Sequence, residues 1–420
     1  MKKILLFVYF INTSLLWAEE PVKLTLEEAI AIALRENREV LFRQEDLKKA
    51  KEKLKEAKAE IFPKLSLESF WTDILDYYEK NVASFSNQFS LKQPIYTGGK
   101  ISGNIQMSKY GIEINQAMLE KTILETVFNV KKAFFTFLLA KEYAKLNELI
   151  LNNTKNHLKT VTERYQNGLA PESEIINLKQ ALAGVEHVFN TSLNQIEEVK
   201  TILKNILYLD KDVDIELEGD FVYQPVEVAF DEVYLQALRE RPELRIYETE
   251  EKMNRLQKEI AKSGLLPNIY ASWEYYVNHS NNPVTLSKGW EDHQTLGVVL
   301  TWPIFDGFAT QAKIRQAELD LKETQLLKEK AIKDIALELK NAYLELNNAI
   351  SKLKAKDAEI SFYEDNLRTF YDKYKNGIAS ELDLEDAKLS FEISQFNRKE
   401  AIYDYLMARA KLERAIGIAK

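Results

Sequence analysis

Gly99-Lys100-Ile101-Ser102 opens a run that closes on Arg164-Tyr165-Gln166-Asn167-Gly168 with no proline inside it, and Phe308-Ala309-Thr310 opens a second that closes on Lys373-Tyr374-Lys375-Asn376-Gly377. At a rise of ~1.5 Å per residue each run, if helical, extends roughly 100 Å, too long for a compact domain. Apolar residues follow helical spacing in both. The second run carries one seam of Ile332, Ala336, Leu339, Tyr343, Leu346, Ile350 and Leu353, beside a narrower one of Ala331, Ile335, Ala342 and Ala349. The first matches with Ile123, Val127, Val130, Phe134 and Phe137. Two adjacent seams let a helix touch neighbours on both sides, as in a ring of helices; a two-stranded antiparallel coiled coil is the simpler alternative. Asn-Gly closes each run in the manner of a helix C-cap. Pro171 and Ser380 then start shorter returning helices, and Ser380 with Asp383 makes a capping-box pair.

Working outward, the two runs belong to one unit written twice. Pro63 answers Pro267 at an offset of 204, whereas Pro94-Ile95-Tyr96-Thr97-Gly98 answers Pro303-Ile304-Phe305-Asp306-Gly307 at 209, an offset that then holds to the end. The length change sits between Pro267 and Pro303, where a loop absorbs it. Ahead of each long run lies period-two alternation. Ile269, Ala271, Trp273, Tyr275 and Val277 share one face against Asn268, Ser272, Glu274 and Asn278. The return strand sets Leu296, Val298, Leu300, Trp302 and Ile304 against Thr295, Gly297 and Thr301, and the first copy sets Phe85, Phe89 and Leu91 against Ser84, Ser86, Gln88, Ser90 and Lys92. Aromatic residues (Trp71, Tyr77, Tyr78, Tyr276, Trp290, Trp302) gather toward the strand ends. Strands of about ten residues suit a tilted membrane crossing, though alternation alone also fits a hairpin on a soluble core.

The expected organisation is a signal peptide over 1–18; a first repeat over 19–210 with a β-hairpin at about 64–94, a long helix at about 99–165 and a returning helix at about 171–208; a linker over 211–228; and a second repeat over 229–420 with the same parts at about 267–303, 308–374 and 380–417. The leader reading rests on Met1-Lys2-Lys3, the apolar Ile4 to Phe10 and Leu16-Trp17-Ala18. Thr25 with Glu28 marks a short first helix, and Pro63 stops the Lys/Glu-rich helix after it. Removing residues 1–18 leaves a net charge of −10, which argues against nucleic acid as a partner. With no cysteine, thiol catalysis and disulfides are excluded. His157, His187, His279 and His293 lack the spacing of a zinc helix, and Thr97-Gly98-Gly99-Lys100 lacks the first glycine and the Ser/Thr of a phosphate loop. No catalytic residue, metal or cofactor is expected.

Four strands cannot close a barrel, and an open edge in lipid leaves backbone groups unpaired at several kcal/mol each. Copies must therefore close it: two give eight strands, which side chains fill, and three give twelve, the first count with room for a channel.

The Pro-Ile-Tyr/Phe-x-Gly entry to each long helix, the duplicated Arg/Lys-Tyr-x-x-Gly turn and the duplicated hairpins resemble the outer membrane efflux protein family typified by TolC. The resemblance covers essentially the whole chain after the leader. It implies a mixed α and β, predominantly helical fold, a trimeric 12-stranded outer-membrane β-barrel continued by a 12-helix periplasmic α-barrel. It further implies a homotrimer in outer-membrane lipid that meets a periplasmic adaptor and an inner-membrane pump and exports small toxic molecules or proteins without catalysis. By the family pattern, acidic residues nine and twelve positions after the tyrosine of the second turn constrict the pore, which gives Asp383 and Asp386 as a gate or selectivity ring. Latch candidates are Tyr374 and Glu174; where the family pattern has an arginine five residues after that tyrosine, this chain has Ala379. Asn167, Gly168, Leu169, Asn376, Gly377 and Ile378 are the candidate adaptor-docking turns. The competing reading is a periplasmic coiled-coil adaptor or structural component of a secretion apparatus.

Overall fold

The computed structural model of the chain describes residues 22–77, 80–210, 212–226, 228–282 and 287–418. The expected leader and Tyr78 lie outside them. Among them the strands and α-helices follow in order: β1 (Val22–Leu24), α1 (Leu26–Glu36), α2 (Arg38–Ala59), β2 (Lys64–Tyr77), β3 (Lys80–Tyr96), α3 (Lys100–Gln166), α4 (Glu172–Leu207), β4 (Ile215–Leu217), α5 (Phe230–Glu240), α6 (Pro242–Lys262), β5 (Asn268–Asn282), β6 (Ser287–Thr301), α7 (Ala309–Lys375) and α8 (Glu381–Ile416). Most of the chain is helix; α3 and α7 are 67 residues each. Contacts divide it into two compact units, one of residues up to 37 with 126–225 and 347–408, the other of 38–125, 226–346 and 409 onward.

In the first unit, Val130, Phe134 and Phe137 of α3 bury against Leu203 and Leu207 of α4, Ala29 and Ala33 of α1, and Leu24, Ile215 and Leu217 of the short strands. β1 and β4 pair in parallel, Val22 with Ile215 and Leu24 with Leu217. The acidic alternation around Val213–Glu218 thus forms a three-residue strand whose apolar positions face this core. α1 starts with the capping box its sequence announces: Thr25 N–H donates to Glu28 Oε2 at 2.9 Å, and Thr25 Oγ1 accepts from Glu28 N–H. A second core sets Leu353, Ala401 and Ile402 against Phe221, Tyr223 and Leu406. There the buried Tyr405 hydroxyl donates to Gln224 O at 2.5 Å, so its polar atom is satisfied.

The second unit holds a four-stranded antiparallel sheet of order β2-β3-β5-β6. Its registers align whole rows. One face runs Leu65–Leu91–Trp273–Leu296, Leu67–Phe89–Tyr275–Gln294 and Trp71–Phe85–His279–Trp290; the other runs Lys64–Lys92–Ser272–Gly297, Ser66–Ser90–Glu274–Thr295 and Glu68–Gln88–Tyr276–His293. The first face is mostly apolar, broken by a Ser69–Asn87–Val277–Asp292 row, and it is bare, with Trp71 72% exposed and Leu296 82%. Polar side chains on the other face bond across strands, as from Ser86 Oγ to Asn278 Oδ1 at 2.6 Å and from Gln88 Nε2 to the Tyr276 hydroxyl at 3.0 Å.

Along α7 the most buried line draws on both expected seams: Ile335, Leu339, Ala342, Leu346, Ala349 and Leu353 recur at alternating spacings of four and three. Tyr343 and Ile350, on the flank, are half-buried. The narrow small-residue row belongs to the same stripe because a 3.5-residue period places it there.

Candidate gate, docking turns and membrane face

All candidate gate and docking residues fall in the first unit, around the turns that join α3 to α4 and α7 to α8. Both turns are Schellman motifs. Gly168 adopts φ +74°, Gly168 N–H donates to Tyr165 O at 2.9 Å, and Leu169 N–H reaches Arg164 O at 2.8 Å. The second turn repeats this with Gly377 at φ +69°, Gly377 to Tyr374 at 3.0 Å and Ile378 to Lys373 at 2.8 Å. A positive φ there favours glycine for want of a Cβ. Such a turn normally folds its last residue over an apolar side chain one turn back, but here those places hold Arg164 and Lys373. Leu169 and Ile378 are therefore left 69% and 75% exposed. Asn167 closes the turn through Nδ2 to Glu163 O at 3.0 Å, and Asn376 N–H donates to Asp372 O.

Asp383 and Asp386 begin α8, one turn apart. Asp383 Oδ2 accepts from Ser380 N–H at 2.8 Å and from Ser380 Oγ at 2.7 Å, while Asp383 N–H donates to Ser380 Oγ at 3.2 Å. These bonds from Ser380 hold the Asp383 carboxyl below the usual carboxylate range. Asp383 thus caps its own helix, and its ionised form is favoured there. Asp386 Oδ1 lies 3.1 Å from Nε2 of His157 on α3, and the neighbouring Glu385 Oε1 lies 3.5 Å from Asn156 Nδ2. The two aspartates consequently have different partners. Glu174 and Tyr374 are exposed, and among the described residues no hydrogen bond joins them. The proximity of His157 to Asp386 is not legible in the sequence, because the two lie 229 residues apart and neither belongs to a periodic pattern.

The sheet is the other functional surface. On β6 this face carries Leu300, Val298 and Leu296, then Gln294 and Asp292, which accept from Trp273 Nε1 at 3.2 Å and from the Tyr275 hydroxyl at 3.3 Å, and it ends at Trp290, ten residue steps from Leu300. At ~3.3 Å per residue and a tilt of ~40° that is roughly 25 Å, the height of an outer-membrane apolar band. Aromatic residues mark its two ends, the Trp71–Phe85–His279–Trp290 row at one and Tyr96, Trp302 and Phe305 at the other. Trp302 keeps its indole N–H satisfied by Leu265 O at 3.1 Å while its ring stays exposed. An amphipathic ring at a lipid–water boundary behaves this way.

One sheet built from two hairpins, with large apolar residues exposed on one face, and a very long helix after each hairpin define a subunit of an outer-membrane channel. The match to the family model covers residues 29–205 and 233–418, and the chain belongs to the outer membrane efflux protein family. Its localisation is accordingly the outer membrane. Over 188 residues it is 23% identical to Nodulation protein T of Rhizobium leguminosarum bv. trifolii, a match that spans 43% of this chain and 38% of that protein's length. The same fold occurs in the Campylobacter jejuni CmeC outer membrane channel, at a TM-score of 0.78 and 17% identity over 93% of this chain and 85% of that one. It occurs also in the open state of the Neisseria gonorrhoeae MtrE outer membrane channel, at 0.76 and 16% over 94% and 89%. The outer membrane protein VceC of Vibrio cholerae gives 0.75 and 16% over 94% and 96%.

Proposed function

We propose that three copies of this chain close into the outer-membrane exit channel of a tripartite efflux or type I secretion system, receiving cargo from a periplasmic adaptor and an inner-membrane pump. The observation that carries this reading is the sheet. Its end strands β2 and β6 each have one neighbour, and its large apolar side chains, Leu65, Leu67, Trp71, Leu296, Val298 and Leu300, stand exposed on one face. In lipid those edges must pair, and pairing β6 of one copy with β2 of the next closes twelve strands around a polar interior. The stripe at alternating spacings of four and three on α7 supports the matching expectation of a twelve-helix tube. Exposed Leu169 and Ile378 supply apolar anchors for the adaptor, and Asp386 with Asp383 supplies the acidic constriction, with Tyr374 and Glu174 as latch residues.

The test is recovery and recording. Protein from the outer-membrane fraction should migrate as a heat-resistant trimer and conduct ions in planar bilayers, and Asp383→Asn/Asp386→Asn should change single-channel conductance and cation preference. Recovery of a soluble monomer from the periplasm would overturn the channel. Unchanged conductance in the double variant would overturn the gate assignment alone.

A further inference from the structure

On the polar face of the sheet, Lys64 of β2 stands directly opposite Lys92 of β3, and the row continues into Ser272 and Gly297 with no acid. Like charges directly opposed across strands destabilise a sheet, so stability does not account for the pair. Both lysines line a cleft of about 870 Å³, together with Lys100 and Lys313 and with only Glu60 and Asp320 as carboxylates. Lys100 is the first residue of α3, which like α7 has no acid in its first turn, whereas α1, α2, α4, α5, α6 and α8 carry one or two. A cation at the positive end of a helix is a second unfavourable placement at the same cleft. Elsewhere lysines pair with a neighbouring acid, as Lys55 does with Glu52 and Lys262 with Glu259; among the described residues none of these four does so.

We propose that this cleft is an anion-binding station that engages soluble solutes bearing phosphate, sulfate or carboxylate groups as they leave. This rests on the channel reading, which turns the polar face of the sheet toward the pore. Three copies bring twelve lysines to one level of that pore, and fields from like charges focused in a low-dielectric wall concentrate counter-ions.

The test uses the purified trimer in zwitterionic phosphatidylcholine bilayers, where no anionic headgroup is present, with inorganic pyrophosphate as the probe. Pyrophosphate should block the wild-type current, the block should weaken about tenfold in Lys64→Gln/Lys92→Gln, and Lys64→Arg/Lys92→Arg should retain it. Raising salt should weaken the wild-type block through screening. A conducting trimer blocked equally well in wild type and the glutamine variant overturns the proposal while leaving the channel in place. A trimer that inserts but conducts nothing overturns the channel reading and this inference with it.

Discussion

The two repeats solve one joint with different chemistry. In the first, α1 ends on Asn37 (φ −63°, ψ 126°), whose Nδ2 donates to Ile206 O at the end of α4 at 3.0 Å. In the second, α5 ends on Arg241 (φ −62°, ψ 119°), whose Nε donates to Ala415 O at the end of α8 at 2.7 Å. The donors are separated by 204 and the acceptors by 209, the two offsets of the duplication itself. One orphan carbonyl at the end of each returning helix is satisfied in the same place. The first copy uses a neutral amide. The second uses a guanidinium, its side chain only 7% exposed, that also bonds Glu338 and Glu243, while Arg414 reaches Glu338 from α8 at 3.2 Å. Geometry is shared; sensitivity is not.

The largest expected effect breaks the second joint. Arg241→Ala leaves Glu338, Glu243 and the Ala415 carbonyl with reduced compensation, and removing one member of a buried ion network costs about 3–5 kcal/mol, here nearer the lower end because both carboxylates are partly exposed. Asn37→Ala removes the neutral hydrogen bond to Ile206 O, worth about 1 kcal/mol. Thermal unfolding of the purified protein in detergent should come far earlier for Arg241→Ala than for Asn37→Ala. Equal shifts would mean that the two joints carry equal weight. Arg241→Lys, which keeps the charge without the planar fork, should fall between them.

The next effect lies one step along the same joint. α4 ends on Tyr208 at φ 54° and α8 on Gly417 at φ 96°, again 209 apart. A side chain is accommodated in the first repeat. In the second, a Cβ on Gly417 would come within 3.0 Å of the Glu240 backbone, which has no flexible end to give way. Gly417→Ala therefore combines left-handed strain with a backbone clash, about 2 kcal/mol. The check is the same thermal measurement, and a neutral result would place the Arg241 network, not backbone proximity, as what fixes the end of α8.

These joints show what the sequence can and cannot disclose. The proline-free stretches, the Asn-Gly turns and the alternation from Ile269 to Val277 are local periodicities, and they sit in α3, α7, the two turns and β5. The Ser380–Asp383 pair was legible for the same reason, since a capping box is a four-residue pattern. Nothing local marks Arg241 as the donor to a carbonyl 174 residues on, or Asp386 as the neighbour of His157. The lysine pair needed the cross-strand register, because Lys64 and Lys92 meet only once β2 and β3 are aligned. That β3 of one repeat pairs with β5 of the next was equally silent, since each hairpin reads alike whether or not it meets the other.

The smallest effect concerns the starts of the returning helices, where the repeats diverge again. α8 begins with the Ser380–Asp383 box, whereas α4 begins at Pro171 with no side-chain bond at its cap, so Glu174, in the place of Asp383, faces a proline where Asp383 has Ser380. Bonds from Ser380 depress the folded-state pKa of Asp383. A depressed carboxyl contributes its stabilisation above its unfolded pKa and loses it as pH falls through the folded value. Acidification below the ordinary carboxylate range should therefore loosen the first turn of α8 and leave α4 nearly unaffected. Hydrogen-exchange protection of the amides at 382–385 against those at 173–176, each corrected for intrinsic rate, measures the difference, and Ser380→Ala should abolish the pH dependence at α8. If both helices lost protection together in wild type, acid would be acting on the protein as a whole and not through the cap.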